Sequence, residues 1–223
     1  METIIDGAYY SLKGIKDAKD GEISREWMHR FIDAAGDIST EDLQTIWSKV
    51  LAGEVLDPEA FSLRTLECLR NMDVRDAKLF EKLCDIAISN KFVINDMDVL
   101  EEKGLSYESI LELDEAGIIN SSGMIKREIH IDSDGGIVID FGSYVLIGKS
   151  EDEKVIIINE FPLTLAGKEL SAIIGGNLDL DTIKSICSVV SKRNRRTNFS
   201  LCEVECRDGE IITCSDESIP FWS

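Results

Sequence analysis

The stretch Leu113-Asp114-Glu115-Ala116-Gly117-Ile118-Ile119 is where this chain changes its hydrophobic period. Upstream of Gly117, apolar residues recur three and four apart, the spacing of one helix face. Downstream they alternate or cluster in runs of five or six bounded by Gly, Asp and Ser, the spacing of short strands. Gly117 stands where a left-handed helix C-cap is expected. A helical half followed by a strand-rich half reads as α+β rather than as alternating βα units.

Working back from that junction, Ser106 precedes Ile110, Leu111 and Leu113, and Asp96 to Lys103 reads as a small helix after the strand candidate Phe92-Val93-Ile94. Asp73 is placed to cap a helix burying Ala77, Phe80, Leu83, Cys84 and Ala87, and Ser62 to cap one burying Leu63, Leu66, Leu69 and Met72. Ser39-Thr40-Glu41-Asp42 is a helix start, a hydroxyl with carboxylates suited to the positive helix end. The stripe Leu43, Ile46, Trp47, Val50, Leu51 follows, and Gly53 is expected to end it, with Pro58 in the connection. Ile23, Trp27, Phe31 and Ala34 or Ala35 form another stripe, stopped at Gly36.

Working forward, residues 127–131, 136–140, 144–148 and 154–159 read as strands, 164–174 as a helix broken by Gly175-Gly176, and 179–192 as another. A hairpin from Asn198 to Cys214 turns at Asp208-Gly209, a favoured type I′ pair. The expected architecture is an N-terminal helical bundle over 1–90, a winged-helix-like segment with antiparallel hairpins over 91–176, and a C-terminal αββ unit over 177–223. These parts are able to share one core.

Composition narrows the function classes. With 223 residues, 43% of them hydrophobic and 30% charged, the chain is long and apolar enough to bury a core. The run Val155-Ile156-Ile157-Ile158 is far too short to span a bilayer. Met1 to Asp6 lacks a basic stretch followed by an apolar one, so a cytoplasmic location is expected, without a membrane partner. The formal charge of −19 repels nucleic-acid phosphates in general, and a protein partner or self-association is expected ahead of nucleic acid.

From Ser39 to Phe80 the chain resembles a known bacterial family. Leu43-Gln44, Ile46-Trp47, Lys49, Leu51-Ala52-Gly53-Glu54, Pro58 and Phe61-Ser62-Leu63-Arg64-Thr65-Leu66 carry the likeness, closed by Asp76-Ala77 and Leu79-Phe80. Leu163-Thr164, Gly167-Lys168-Glu169-Leu170 is similar to a downstream helix of the same proteins. The family is one of unknown function, so the resemblance brings no activity with it. Its Leu43-to-Leu51 helix alone is also similar to abortive-infection-type proteins of phage defence, which implies a place in defence or stress response.

The reactive residues form no recognisable catalytic pattern. His29 and His130 stand about a hundred positions apart with no nucleophile in a recognisable motif beside either, and no phosphate-loop, dinucleotide, zincin or nucleophile-elbow pattern occurs. Asp132-Ser133-Asp134-Gly135-Gly136 lacks the later Glu of a calcium loop and reads as a turn. Cys202, Cys206 and Cys214 share a hairpin without a CxxC pair. With 43 acidic residues, carboxylate pairs arise by chance. The expectation is therefore no catalytic residue, no metal site and no cofactor.

Two binding candidates remain. Trp27, Phe31, Gln44, Trp47 and Arg64 are the candidate partner-binding set, and Arg64 is also expected to bridge helices through a carboxylate such as Glu54. Lys192, Arg193, Arg195 and Arg196 concentrate positive charge at a helix end and are candidates for contacting an anion or nucleic acid. The helix at 107–116 carries Glu108, Glu112, Asp114 and Glu115 and no cation, so a winged helix here would bind protein rather than DNA.

Overall fold

The computed structural model describes every residue except 16–17, 124, 133–134, 210 and 222–223. The Ser133-Asp134 part of the turn discussed above therefore lies outside the described residues. The fold is α+β, helices first and strands after, as the period change implies. Its elements in order are α1 Glu2–Leu12, α2 Arg25–Ala35, α3 Glu41–Leu56, α4 Leu63–Asn71, α5 Val74–Cys84, β1 Phe92–Ile94, α6 Met97–Glu102 and α7 Tyr107–Glu115. Then come β2 Ile125–His130, β3 Gly136–Asp140, β4 Tyr144–Lys149, β5 Val155–Pro162, α8 Leu165–Ile174, α9 Leu180–Arg193, β6 Asn198–Asp208 and β7 Ile211–Cys214.

The chain divides into two compact units, each made of three segments. The first comprises Met1–Cys84, Tyr107–Ser121 and Leu163–Gly176; the second comprises Asp85–Ser106, Ser122–Pro162 and Asn177–Ser223.

The first unit holds α1–α5, α7 and α8. Ser62 caps α4 as the sequence implies, accepting from the Thr65 amide, and Ser24 and Thr164 likewise accept from the amides of Trp27 and Gly167. The Thr40 hydroxyl, expected to cap α3, makes no side-chain cap bond. Asp73 accepts from the amides of Arg75 and Asp76. Gly117 has φ +76°, the left-handed value its C-cap position requires. Gly53 does not end α3, which runs on to Leu56. A Cβ at Gly53 would sit 2.7 Å from Phe61 Cε2, so this glycine lets a buried ring lie against the helix instead of stopping it. Helix α1 packs Ile4 and Ala8 inward against α3, with Gly7 so close that a Cβ there would fall 2.5 Å from Ser48 Oγ.

The second unit contains two antiparallel sheets, ordered β1-β5-β2 and β3-β4-β6-β7. The strand following α7 does not pair with the next strand: β2 pairs with β5, and β3 pairs with β4. Helix-then-strands order is thus present in the chain, while the hairpin is made one strand later than a wing directly after α7 would need. α9 buries Ile183, Ile186, Cys187 and Val190 in one core with Ile156 and Ile158 of β5, Leu146 of β4 and Leu201 of β6. Apolar side chains three and four apart on a helix meet alternating ones on strands, and the shared core is the main stabilising term.

Candidate functional site

The motif-bearing segment of the first unit is a set of interlocking backbone restraints. Both carboxylate oxygens of Glu54, a residue 1% exposed, accept backbone amides, Oε1 from Glu59 at 2.9 Å and Oε2 from Phe61 at 3.0 Å. This closes the loop after α3 and pairs the Phe61 amide, which would otherwise be buried without a partner. Phe61 in turn accepts the Trp27 indole N–H on its carbonyl at 2.8 Å. From α8, Glu169 accepts from the Ser62 amide at 2.8 Å and the Thr65 hydroxyl at 2.5 Å. The Thr164 hydroxyl donates to the Gly117 carbonyl at 2.6 Å, and Gly167 admits the Ile118 carbonyl where a Cβ would fall 2.1 Å from that oxygen. The residues that made the segment recognisable are holding this unit together.

The aromatic candidates belong to the same interior. Trp27, Phe31 and Trp47 are all buried, the Trp27 and Phe31 rings stacked at 5.1 Å and those of Phe31 and Trp47 edge-on at 5.2 Å. No face of these three rings is left for a partner. Among the described residues the buried Trp47 indole N–H has no hydrogen-bond partner. The Gln44 side chain donates to the Ile38 carbonyl at 3.0 Å, fixing the turn before α3. Arg64 does not reach Glu54, which is occupied by backbone amides; it is exposed.

Arg64 instead lines a cavity of about 550 Å³ with Glu67, Cys68, Asp76, Glu112 and Glu115. Burial, reinforced by the Asp76 charge, pushes the Cys68 thiol up to about 11, and it donates to the Ala116 carbonyl at 2.9 Å. A thiol so held stays protonated at neutral pH and is a poor nucleophile. Glu112 Oε1 accepts from Arg75 at 2.6 Å.

The surface signal that the sequence did not disclose is α1. Beside its packed face, Ile5 is 52% exposed, Tyr9 63% and Tyr10 70%, and Ile15 beyond the helix end is 49% exposed. The two tyrosine rings meet edge-on at 5.9 Å. Ile5 and Tyr9 lie four residues apart with half-buried Leu12 three further on, so they form one stripe. The doublets Ile4-Ile5 and Tyr9-Tyr10 put apolar residues on both faces of the helix, which obscures its period in the sequence.

In the second unit the cationic run lies where the sequence puts it, at the end of α9. Asn194 caps that end: its amide donates to Val190 and Ser191 carbonyls, and its side chain exchanges bonds with Ile157 at 2.8 and 3.0 Å. Arg195 Nε donates to the Lys192 carbonyl at 3.2 Å. Lys192, Arg193, Arg195 and Arg196 are all exposed. Arg196 lies 3.7 Å from Glu153, and among the described residues no carboxylate pairs with the other three.

On the β6–β7 hairpin the cysteines do not line up. The register shifts between Val204 and Cys206, setting Cys214 across from Val204 and Cys206 across from Thr213. Cys206 and Cys214 therefore project from opposite sides of the ribbon. Among the described residues no group of three His, Cys, Asp or Glu is placed to hold a metal ion, and no helix is long and apolar enough to cross a membrane.

Neither the curated proteins nor the solved structures contain a match to this chain. Residues 1–100, spanning α1 to β1 and most of α6, match the model of a family described as Protein of unknown function (DUF2806).

Proposed function

We propose that this chain is a non-enzymatic protein-binding module whose docking surface is the outward face of α1. The observation that carries the reading is the exposed stripe of Ile5, Tyr9 and Leu12 with Tyr10 beside it, on a helix clamped to α3 by its other face. Tyrosine gives large contact area at low entropic loss and is enriched where partners bind. A rigid helix presenting such residues needs no reorganisation before binding. The physiological setting we propose, a bacterial defence or stress response, rests on the resemblance of the Leu43-to-Leu51 helix to abortive-infection proteins alone. The protonated Cys68 thiol, in the acidic cavity beside Arg64, supports the non-enzymatic part of the reading.

Tagged protein is to be recovered from its host, with and without nuclease and phage challenge, beside a Tyr9→Asp variant. A stoichiometric protein that survives nuclease and is lost from Tyr9→Asp, with thermal unfolding unchanged, is the expected result. Equal capture by the variant would sink the proposal. Trp27→Ala is unsuitable here, since it removes a core ring and leaves the Phe61 carbonyl without its donor.

A second reading, a regulator contacting nucleic acid through Lys192, Arg193, Arg195 and Arg196, is favoured by one observation. Three of these four exposed cations lack an ion-pair partner among the described residues, in a chain of net charge −19. Binding to a DNA duplex that weakens steeply with salt and disappears on reversing Arg193 and Arg196 to Glu would distinguish it.

A further inference from the structure

We propose that the end of α9 and the start of β6 form a binding site for a phosphoryl group. A cavity of about 460 Å³ lies there, lined by Ser191, Lys192, Arg195, Thr197, Asn198 and Phe199. Every polar side chain in that lining is able to donate a hydrogen bond, two are cationic, and none is a carboxylate. Lys149 of β4 stands directly across from Asn198 in the strand register, outside the lining itself.

Two features separate this cavity from an ordinary cationic helix end. First, the helix does not need these cations. Carbonyls of its last turn already accept from the Asn194 amide, the Asn194 side chain and Arg195 Nε, which leaves the ammonium of Lys192 and the remaining guanidinium N–H groups of Arg195 to spare. Second, Thr197 is 5% exposed and its hydroxyl has no hydrogen-bond partner among the described residues. Its methyl lies over Gly148, where a Cβ would come within 3.0 Å of it, and its amide donates to Asn194. A buried hydroxyl in that state is destabilising unless something accepts from it.

The ligand class follows from the donor set. A carboxylate offers two oxygens and one charge; a phosphate monoester offers three oxygens and up to two charges, which suits Lys192, Arg195 and the Thr197 hydroxyl acting together. The space is larger than a bare anion needs, and the buried Phe199 ring adds apolar wall for the organic part of an ester. The overall charge of −19 opposes any anion, but at physiological salt a charge beyond about 8 Å is largely screened, so the cations in contact prevail. The site is independent of the α1 reading. It shares Lys192 and Arg195 with the nucleic-acid reading, which draws in addition on Arg193 and Arg196, neither of which lines the cavity.

That difference sets the test. The full chain is titrated with inorganic phosphate, AMP and a single-stranded oligothymidylate, following backbone amide resonances of Thr197 and Asn198. AMP is expected to give saturable shifts, with affinity reduced about tenfold or more by Thr197→Val and by Lys192→Ala with Arg195→Ala. Arg193→Ala with Arg196→Ala, which leave the lining intact, should weaken AMP far less than the Lys192/Arg195 pair does. Binding of the oligonucleotide alone, still lost on Thr197→Val, would place the phosphoryl group in a nucleic acid rather than in a free ester. No saturable shift with any probe up to about 10 mM, a range that would reveal even millimolar affinity, overturns the proposal. So does equal weakening by the Arg193/Arg196 pair, the signature of a diffuse patch. Thr197→Val also serves as a folding control, because removing an unpaired buried hydroxyl should leave the melting temperature unchanged or raised.

Discussion

Replacing Glu54 by Ala should destabilise the first unit by about 3 kcal/mol, a figure that follows from the two amides it satisfies. The Phe61 amide is buried, so losing its acceptor costs towards the upper part of the range of about 1–3 kcal/mol for an orphaned group. The Glu59 amide is only partly buried and recovers water, so it contributes about 1 kcal/mol. Removing a buried carboxylate also relieves desolvation, which works in the opposite direction. Glu54→Gln separates the terms. It retains one oxygen for Phe61 but turns an amide N–H₂ towards the Glu59 N–H, donor against donor, and should cost about 2 kcal/mol. Urea unfolding followed by tryptophan fluorescence reads this unit directly, because Trp27 and Trp47 are buried within it; a Trp222→Phe background removes the third indole. For a slope near 2 kcal/mol/M, the Ala variant shifts the midpoint down by about 1.5 M. A Gln variant as stable as the parent would refute the reasoning, showing that desolvation outweighs the paired amides.

Two further outcomes are accessible to simple assays. Asp179 caps α9, and its hydrogen bonds with Lys103 and the Thr182 amide hold its carboxyl down to about 2, below the unfolded value of roughly 3.9. A depressed folded pKa stabilises above the unfolded pKa and is lost as pH falls through the folded one. Asp179→Asn, which keeps a capping oxygen, should therefore lower the melting temperature at pH 6, with the gap closing between pH roughly 4 and 2; a gap constant with pH would disprove the linkage. In native thiol labelling, exposed Cys206 should supply the fast phase, while Cys68 and Cys187, pushed by burial to about 11 and about 12, react only on unfolding. Persistence of the fast phase in Cys206→Ser would contradict that order.

Local signals were legible in the sequence, and long-range pairings were not. Ser62 and Asp73 cap helices as their positions imply, because capping depends on a side chain and an amide two or three residues away. Gly53 looks like a helix stop in the sequence because its real partner, the Phe61 ring, is placed by a loop that no local pattern specifies. Alternation identified β2 to β5 as strands but carries no information on partners, so the β2–β5 pairing had to come from the fold. The stripe of Trp27, Phe31 and Trp47 has the same period whether it faces a core or a partner. Only their mutual stacking decides for the core. The cations at 192–196 were plain in the sequence. The orphaned Thr197 hydroxyl was not, because it depends on the β4–β6 register that brings Gly148 beneath its methyl group.

The three-segment construction of the first unit orders events during synthesis. Helices α1 to α5 leave the ribosome early, but Glu169, the acceptor for Ser62 and Thr65, lies 107 and 104 residues further along. At about 5–20 residues per second, that delay is several seconds, far longer than the microseconds a helix needs to form. Throughout that interval the start of α4 lacks its acceptor and the apolar face that α8 will cover is open to solvent or to a chaperone. A fragment stopped at residue 100, where the family match ends, would be held permanently in this condition. The part of the chain most readily recognised in sequence is not a part that completes its own fold.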